Sequence, residues 1–184
     1  MFSQAYYDLV EKSKIYHLEN KTWGGLHMLP YAPFIKELAV KHNINSLLDY
    51  GCGKGKQYSD NHEWEPGVVA PFDQYIGIDD VYKYDPCWKE FETPPPVDKK
   101  FDAIILIQCI GFYPDDDIPI LKEMLMKQTA KFCFIGEVSS SYGKIKAKKQ
   151  KNLDPQYFRA ARSPEWFADQ FKDWSGSELV FKYF

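Results

Sequence analysis

Leu47-Leu48-Asp49-Tyr50-Gly51-Cys52-Gly53-Lys54-Gly55 reads as a buried strand that ends beside an acid and enters a Gly-x-Gly-x-Gly turn. Glycine there lets the backbone turn tightly and come close to a ligand. A phosphate-cradling loop needs Gly-Lys followed by Ser or Thr, whereas Gly53-Lys54 is followed by Gly55 and Gly55-Lys56 by Gln57. A dinucleotide fingerprint needs glycine where Lys56 stands. Against any ligand reading stands the simpler one, a strand-to-helix turn that uses glycine for conformation alone.

Working outward, the strand extends back to Ile44, and before it Phe34, Ile35, Leu38 and Ala39 recur at helical spacing after Pro30. Residues Phe2 to Glu19 carry Leu9, Val10 and Ile15 among charges, which predicts an amphipathic helix on the outside of the domain. Beyond the turn a helix is expected from about Lys56. A strand is expected within Tyr75 to Tyr84, then a surface connection at Pro94, Pro95 and Pro96. Phe101 to Cys109 is nearly continuous apolar, as a strand covered on both faces must be. Asp115 to Lys127 has a helical stripe of Ile118, Leu121, Met124 and Leu125, and Lys131 to Val138 is a further buried strand. Ser163 is placed to cap a helix that begins with Pro164 and Glu165 and turns Trp166, Phe167 and Phe171 inward; Leu179 to Phe184 supplies a last strand. Alternating strands and helices predict one α/β domain over residues 1–184, a Rossmann-like doubly wound sheet that binds its ligand at the carboxyl ends of its strands.

Composition narrows the partners. With 45% hydrophobic and 27% charged residues the chain is globular, and 17% aromatics can fill a core or line a flat pocket. The 23 basic and 26 acidic residues leave a net charge of −3, so the protein as a whole has no electrostatic attraction to nucleic acid or anionic membranes. No apolar run approaches the roughly 20 residues of a membrane-spanning helix. Cys52, Cys87, Cys109 and Cys133 form no Cys-x-x-Cys pair, and no signal-like segment opens the sequence, so the expectation is a reduced, cytoplasmic protein. None of His17, His27, His42 and His62 has metal-ligand spacing with a partner, and no metal is expected.

The nonapeptide resembles the first motif of class I S-adenosylmethionine-dependent methyltransferases. That resemblance implies a cofactor lying over the turn, with Asp49, Gly51, Cys52, Gly53 and Gly55 binding it and Asp49 helping to place its ammonium group. A ribose diol calls for a carboxylate at the end of the second strand, and two candidates compete. Ile76-Gly77-Ile78-Asp79 has the general look of a strand ending in such an acid, while Val81 to Asp85 alternates and ends in its own. Over most of its length the chain is also similar to small methyltransferase-like proteins common in bacteriophages, whose Tyr-Asp-Pro-Cys segment is matched by Tyr84, Asp85, Pro86 and Cys87. Asp85 is therefore the first choice and Asp79 the alternative. The closeness of Asp85 to Phe101 implies that the usual third strand is shortened or missing. Trp23, Gly24 and Gly25 resemble the group's Phe-x-Gly segment, so residues 1–29 are read as an N-terminal helix and a segment closing over the cofactor. A host's cytoplasm is the implied location if the source is viral.

The acceptor side departs from that group. Its Thr-Asp-Val-Leu-Glu-His stretch falls on Ile107, Gln108, Cys109, Ile110, Gly111 and Phe112, without the acid or the histidine. A further histidine is replaced near Phe158, although Pro164, Glu165, Trp166 and Phe167 keep the following element. Gln108 is a candidate to hydrogen-bond the cofactor or acceptor, and Tyr113 to face the pocket; a satisfied buried amide and a core aromatic are the competing readings. Lys144, Lys146, Lys148, Lys149 and Lys151, with Arg159 and Arg162, offer a phosphate-gripping surface, but no nucleic-acid motif accompanies them and a solvated connection is preferred. The leading expectation is methyl transfer to an undetermined acceptor. The alternative is S-adenosylmethionine binding without transfer, as a sensor, decoy or partner subunit. An NAD-dependent oxidoreductase shares the sheet but not the glycine spacing.

Overall fold

The computed structural model describes residues 1–19, 24–137 and 162–183. Helix α1 spans Gln4–Glu19, followed by a 3-10 helix at Leu26–Tyr31 and α2 at Ala32–His42. Strand β1 is Ser46–Tyr50, after which come the short helix α3 (Lys56–Ser59), the hairpin β2–β3 (His62–Glu65 and Val68–Ala70) and α4 (Phe72–Ile76). The remaining elements are β4 (Asp80–Tyr84), β5 (Phe101–Ile107), α5 (Ile118–Gln128), β6 (Thr129–Glu137), α6 (Pro164–Gln170) and β7 (Glu178–Tyr183).

Five strands form one sheet in the order β4-β1-β5-β6-β7, with every neighbouring pair parallel. Side chains alternate across it as the strand period requires. Leu47, Ala103, Ile105, Phe132 and Phe134 meet α2, α4 and the hairpin on one face; Leu48, Ile104, Leu106, Cys133 and Ile135 meet α1, α5 and α6 on the other. Coverage on both faces explains the unbroken apolar run of β5. The result is an α/β, Rossmann-like arrangement. Residues 85–100 contain no strand and return the chain from β4, across β1, to β5. The chain therefore leaves β1 on one side and comes back on the other, which puts a topological switch point, the place where such sheets hold ligands, at the carboxyl end of β1.

Three expectations change. The inward line of α1 is Tyr6, Ser13 and His17 with Val10 partly buried, while Ile15 is 58% exposed. Tyr6 and Val10 join the apolar cluster on the α5 and α6 face of the sheet and His17 lies against the Trp88 ring, so the buried line runs through a serine and a histidine that hydrophobic periodicity passes over. The Ile76-Gly77-Ile78-Asp79 stretch, one of the two readings of a strand within Tyr75 to Tyr84, is no strand: Ile76 ends α4, which is closed by Gly77 at φ 76° with its N–H on Asp73 O at 2.8 Å. Such a left-handed glycine cap ends a helix and cannot continue a strand. The hairpin β2–β3 was not anticipated; Trp64 is buried beneath it and donates to Ala70 O at 2.7 Å. The predicted cap of α6 is present, with the Ser163 hydroxyl accepting the Trp166 N–H at 3.3 Å. Among the described residues no helix is long and apolar enough to cross a membrane.

Candidate functional site

The site is built where β1 ends. Gly51, Gly53 and Gly55 all take positive φ, 89°, 62° and 67°, so the turn is open to glycine and strained for other residues. Two of them are also required by neighbours in the chain. A Cβ on Gly51 would lie 2.8 Å from Cys109 Cβ, and one on Gly55 would lie 2.6 Å from the Phe91 ring. The turn is tied to the end of β4 by Gly51 N–H and Cys52 N–H, which donate to Tyr84 O at 2.7 and 3.1 Å. Cys52 contributes backbone; its thiol is buried and turned to Gly53 O.

Asp49 lies in the strand just below the turn and is 1% exposed. Gln57 Nε2 and Tyr58 Oη, from α3, both donate to its Oδ2, at 3.0 and 2.8 Å. Among the described residues no donor reaches Oδ1. Burial pushes this carboxyl up to about 7, the two hydrogen bonds oppose the shift, and the charge of Asp85 adds to it. Gln57 is itself fully buried; its Nε2 also donates to Cys52 O at 3.0 Å, and its Oε1 has no partner. That oxygen abuts Gly25, which has no room for a side chain. Gln57 Oε1 is thus a buried acceptor without a donor, in one cluster with the Asp49 carboxylate. A ligand bringing N–H donors, above all an ammonium, fits that deficit.

Asp85, the first-choice ribose acid, comes to the same place. It is 7% exposed, accepts the Gly53 N–H on Oδ2 and the Cys87 N–H on Oδ1, both at 2.8 Å, and is raised by burial against those two bonds. The Cys87 thiol also bonds the carboxylate, which still has acceptor capacity left for a hydroxyl. Within the chain, Asp85 fastens the glycine turn to the strand beside it. Asp79 is elsewhere. It is exposed and precedes Asp80, whose register partner is Ser46 at the start of β1, so it lies at the opposite end of the sheet, roughly 16 Å from the turn at the strand rise. The structure removes it from the site.

Gln108 follows β5 in a left-handed conformation, φ 54°, with its N–H on Gly136 O at 2.7 Å and its side chain on the Tyr31 hydroxyl. Tyr113 does not line an open crevice. It is buried among Tyr6, Tyr50 and Tyr84, donates to Tyr50 Oη at 3.0 Å and is raised far above its ordinary range by burial. Arg162 is buried, stacks 4.3 Å over Trp166 and donates to Tyr113 O at 3.1 Å, which takes it out of any solvated basic surface. Trp23, Phe158, Lys144 to Lys151 and Arg159 lie outside the described residues. Sequence reasoning missed Gln57, Tyr58 and Cys109, which meet the turn only because the chain folds back on it. It also missed Glu137.

These features define a class: a parallel α/β protein with a glycine turn and two buried carboxylates at its topological switch point. Compared with known proteins, the chain matches no family model, no curated protein and no solved structure.

Proposed function

We propose that the protein binds S-adenosylmethionine at the switch point at the end of β1, as a class I methyltransferase acting on an acceptor still to be identified. The observation that carries this reading is the buried, unpartnered Gln57 Oε1 beside the buried Asp49 carboxylate at the turn. These acceptors suit the cofactor's ammonium, and the Asp85 carboxylate suits its ribose. When bound, the cofactor supplies an activated methyl group on a sulfonium. The chain's task is to hold it and to exclude water from it, since positioning alone can provide much of the acceleration. A side-chain base is needed only where the acceptor must lose a proton.

One observation favours binding without transfer. The polar side chains at the carboxyl ends of β5 and β6, Gln108 and Glu137, are engaged within the protein, and Tyr113 is buried. Calorimetric titration and thermal shift with S-adenosylmethionine and S-adenosylhomocysteine test the common part, because a ligand selective for the folded state stabilises it by mass action. Binding with a raised melting temperature is expected, with no response to NADH. Absence of heat and of any shift at millimolar ligand refutes both readings. Release of S-adenosylhomocysteine in the presence of candidate acceptors then separates enzyme from binder.

A further inference from the structure

Glu137, the last residue of β6, is 6% exposed and bears a carboxylate deep in the fold. Its Oε1 accepts the Ile110 N–H at 3.0 Å, and the N–H groups of Cys109 and Gly111 also turn to it. Three consecutive amides thus converge on one carboxylate in a small nest. Arg162 holds the same turn from its carbonyl side, through Tyr113 O at 3.1 Å and an ion pair with Asp115. An apolar residue would fill this space without the desolvation cost of a charge, so a buried glutamate here requires an explanation beyond packing.

The turn so clamped carries Cys109, and Cys109 touches the proposed site. Its Sγ donates to Tyr50 O at 3.3 Å, and its side chain occupies the space in which Gly51 has no Cβ. A contiguous path therefore runs from Glu137 through the amides of 109–111 to Cys109, and from Cys109 to the peptide that starts the glycine turn. We propose that Glu137 is a positioning residue for that turn: by fixing Cys109 it sets where Gly51 and Cys52 stand, and so the fit of the ligand above them. The last step rests on the reading of the turn as the cofactor's cradle; the earlier ones do not.

The test uses Glu137→Gln, which keeps the shape and one acceptor but presents an Nε2 that cannot accept the remaining amide hydrogens. In the ligand-free protein, the ¹⁵N–¹H resonances of Gly51 and Cys52 are expected to move along with those of 109–111. In a Cys109→Gly background, which removes the Cβ nearest Gly51 as well as the thiol, the same substitution is expected to leave Gly51 and Cys52 where they are. Such dependence on a third residue is evidence of coupling that a general loss of stability does not produce. Affinity for S-adenosylhomocysteine should fall about threefold to thirtyfold in Glu137→Gln, the range for residues that act through a contact network. The proposal is overturned if Gly51 and Cys52 do not respond to Glu137→Gln, or respond equally without the Cys109 side chain. Should the wild type fail to bind S-adenosylhomocysteine, the proposed function falls, and the resonance comparison still decides whether Glu137 positions the turn.

Discussion

Replacing Asp49 by Asn should make the protein more stable at neutral and alkaline pH. In the wild type the carboxyl sits at about 7 in the folded state against an ordinary value of 3.8. Below the lower value both states are protonated, and the group costs nothing. Between the two, the folded protein must hold a proton that the unfolded chain has released, so stability is lost as pH rises and the loss levels off above about 7. The full difference corresponds to about 4 kcal/mol, of which about 2–3 kcal/mol falls between about pH 5 and about pH 8. An asparagine places its carbonyl oxygen where Oδ2 accepts from Gln57 and Tyr58, and its amide nitrogen where no donor competes. Urea denaturation of both proteins across this range should therefore show the variant gaining about 2–3 kcal/mol on the wild type as pH rises. Glu137, also pushed up to about 7 by burial, leaves a parallel slope in both proteins. Curves that stay parallel throughout would refute the account of Asp49 as a buried carboxyl without a counter-charge. Should S-adenosylhomocysteine bind, its ammonium takes the place of the proton, so binding to the wild type should release protons near neutral pH and binding to Asp49→Asn should not.

Further outcomes follow from the same geometry. Asp85→Ala orphans the N–H groups of Gly53 and Cys87 and should cost about 1–3 kcal/mol for each, measured by chemical denaturation, whereas Asp79→Ala should stay within about 0.5 kcal/mol and leave ligand titrations unchanged. Equal effects would contradict the placement of Asp79 at the far end of the sheet. Gly51→Ala meets both a positive φ and the Cys109 side chain, and should destabilise by about 2–4 kcal/mol; a melting temperature equal to that of the wild type would show that the turn has another conformation. Ser3→Ala removes the 2.6 Å bond from the Ser3 hydroxyl to Asp117 and the acceptor for Tyr6 N–H at the start of α1. It should cost about 1 kcal/mol, the usual scale for a helix cap, by the same assay.

Four strands of the sheet, helices α2, α5 and α6, and the glycine turn were legible in the sequence because each is announced by residues adjacent in the chain, whereas β4 was narrowed only to some part of Tyr75 to Tyr84. Apolar runs at β1 and β5, the stripe of Ile118, Leu121 and Leu125, the Ser163-Pro164 start of α6 and the three glycines are local patterns set by backbone geometry and period. The sequence alone also singled out Asp49 and, among two neighbouring acids, preferred Asp85. Parallel pairing decided between those acids in space. With Asp80 opposite Ser46 and Tyr84 opposite Tyr50, one acid comes to the switch point and the other to the far edge, and strand register depends on partners distant in the chain. The inward face of α1 was decided in the same way, by the Tyr113 and Trp88 rings that only the folded chain brings beneath Tyr6 and His17. Tertiary contact also created what the site adds to its motif: the Gln57 and Tyr58 bonds to Asp49 across the turn and, from distant segments, the Cys109 side chain against Gly51 and the convergence of three amides on Glu137. Each is an ordinary polar or thiol residue by composition, and each acquires its role only when burial removes water and leaves one particular neighbour within reach.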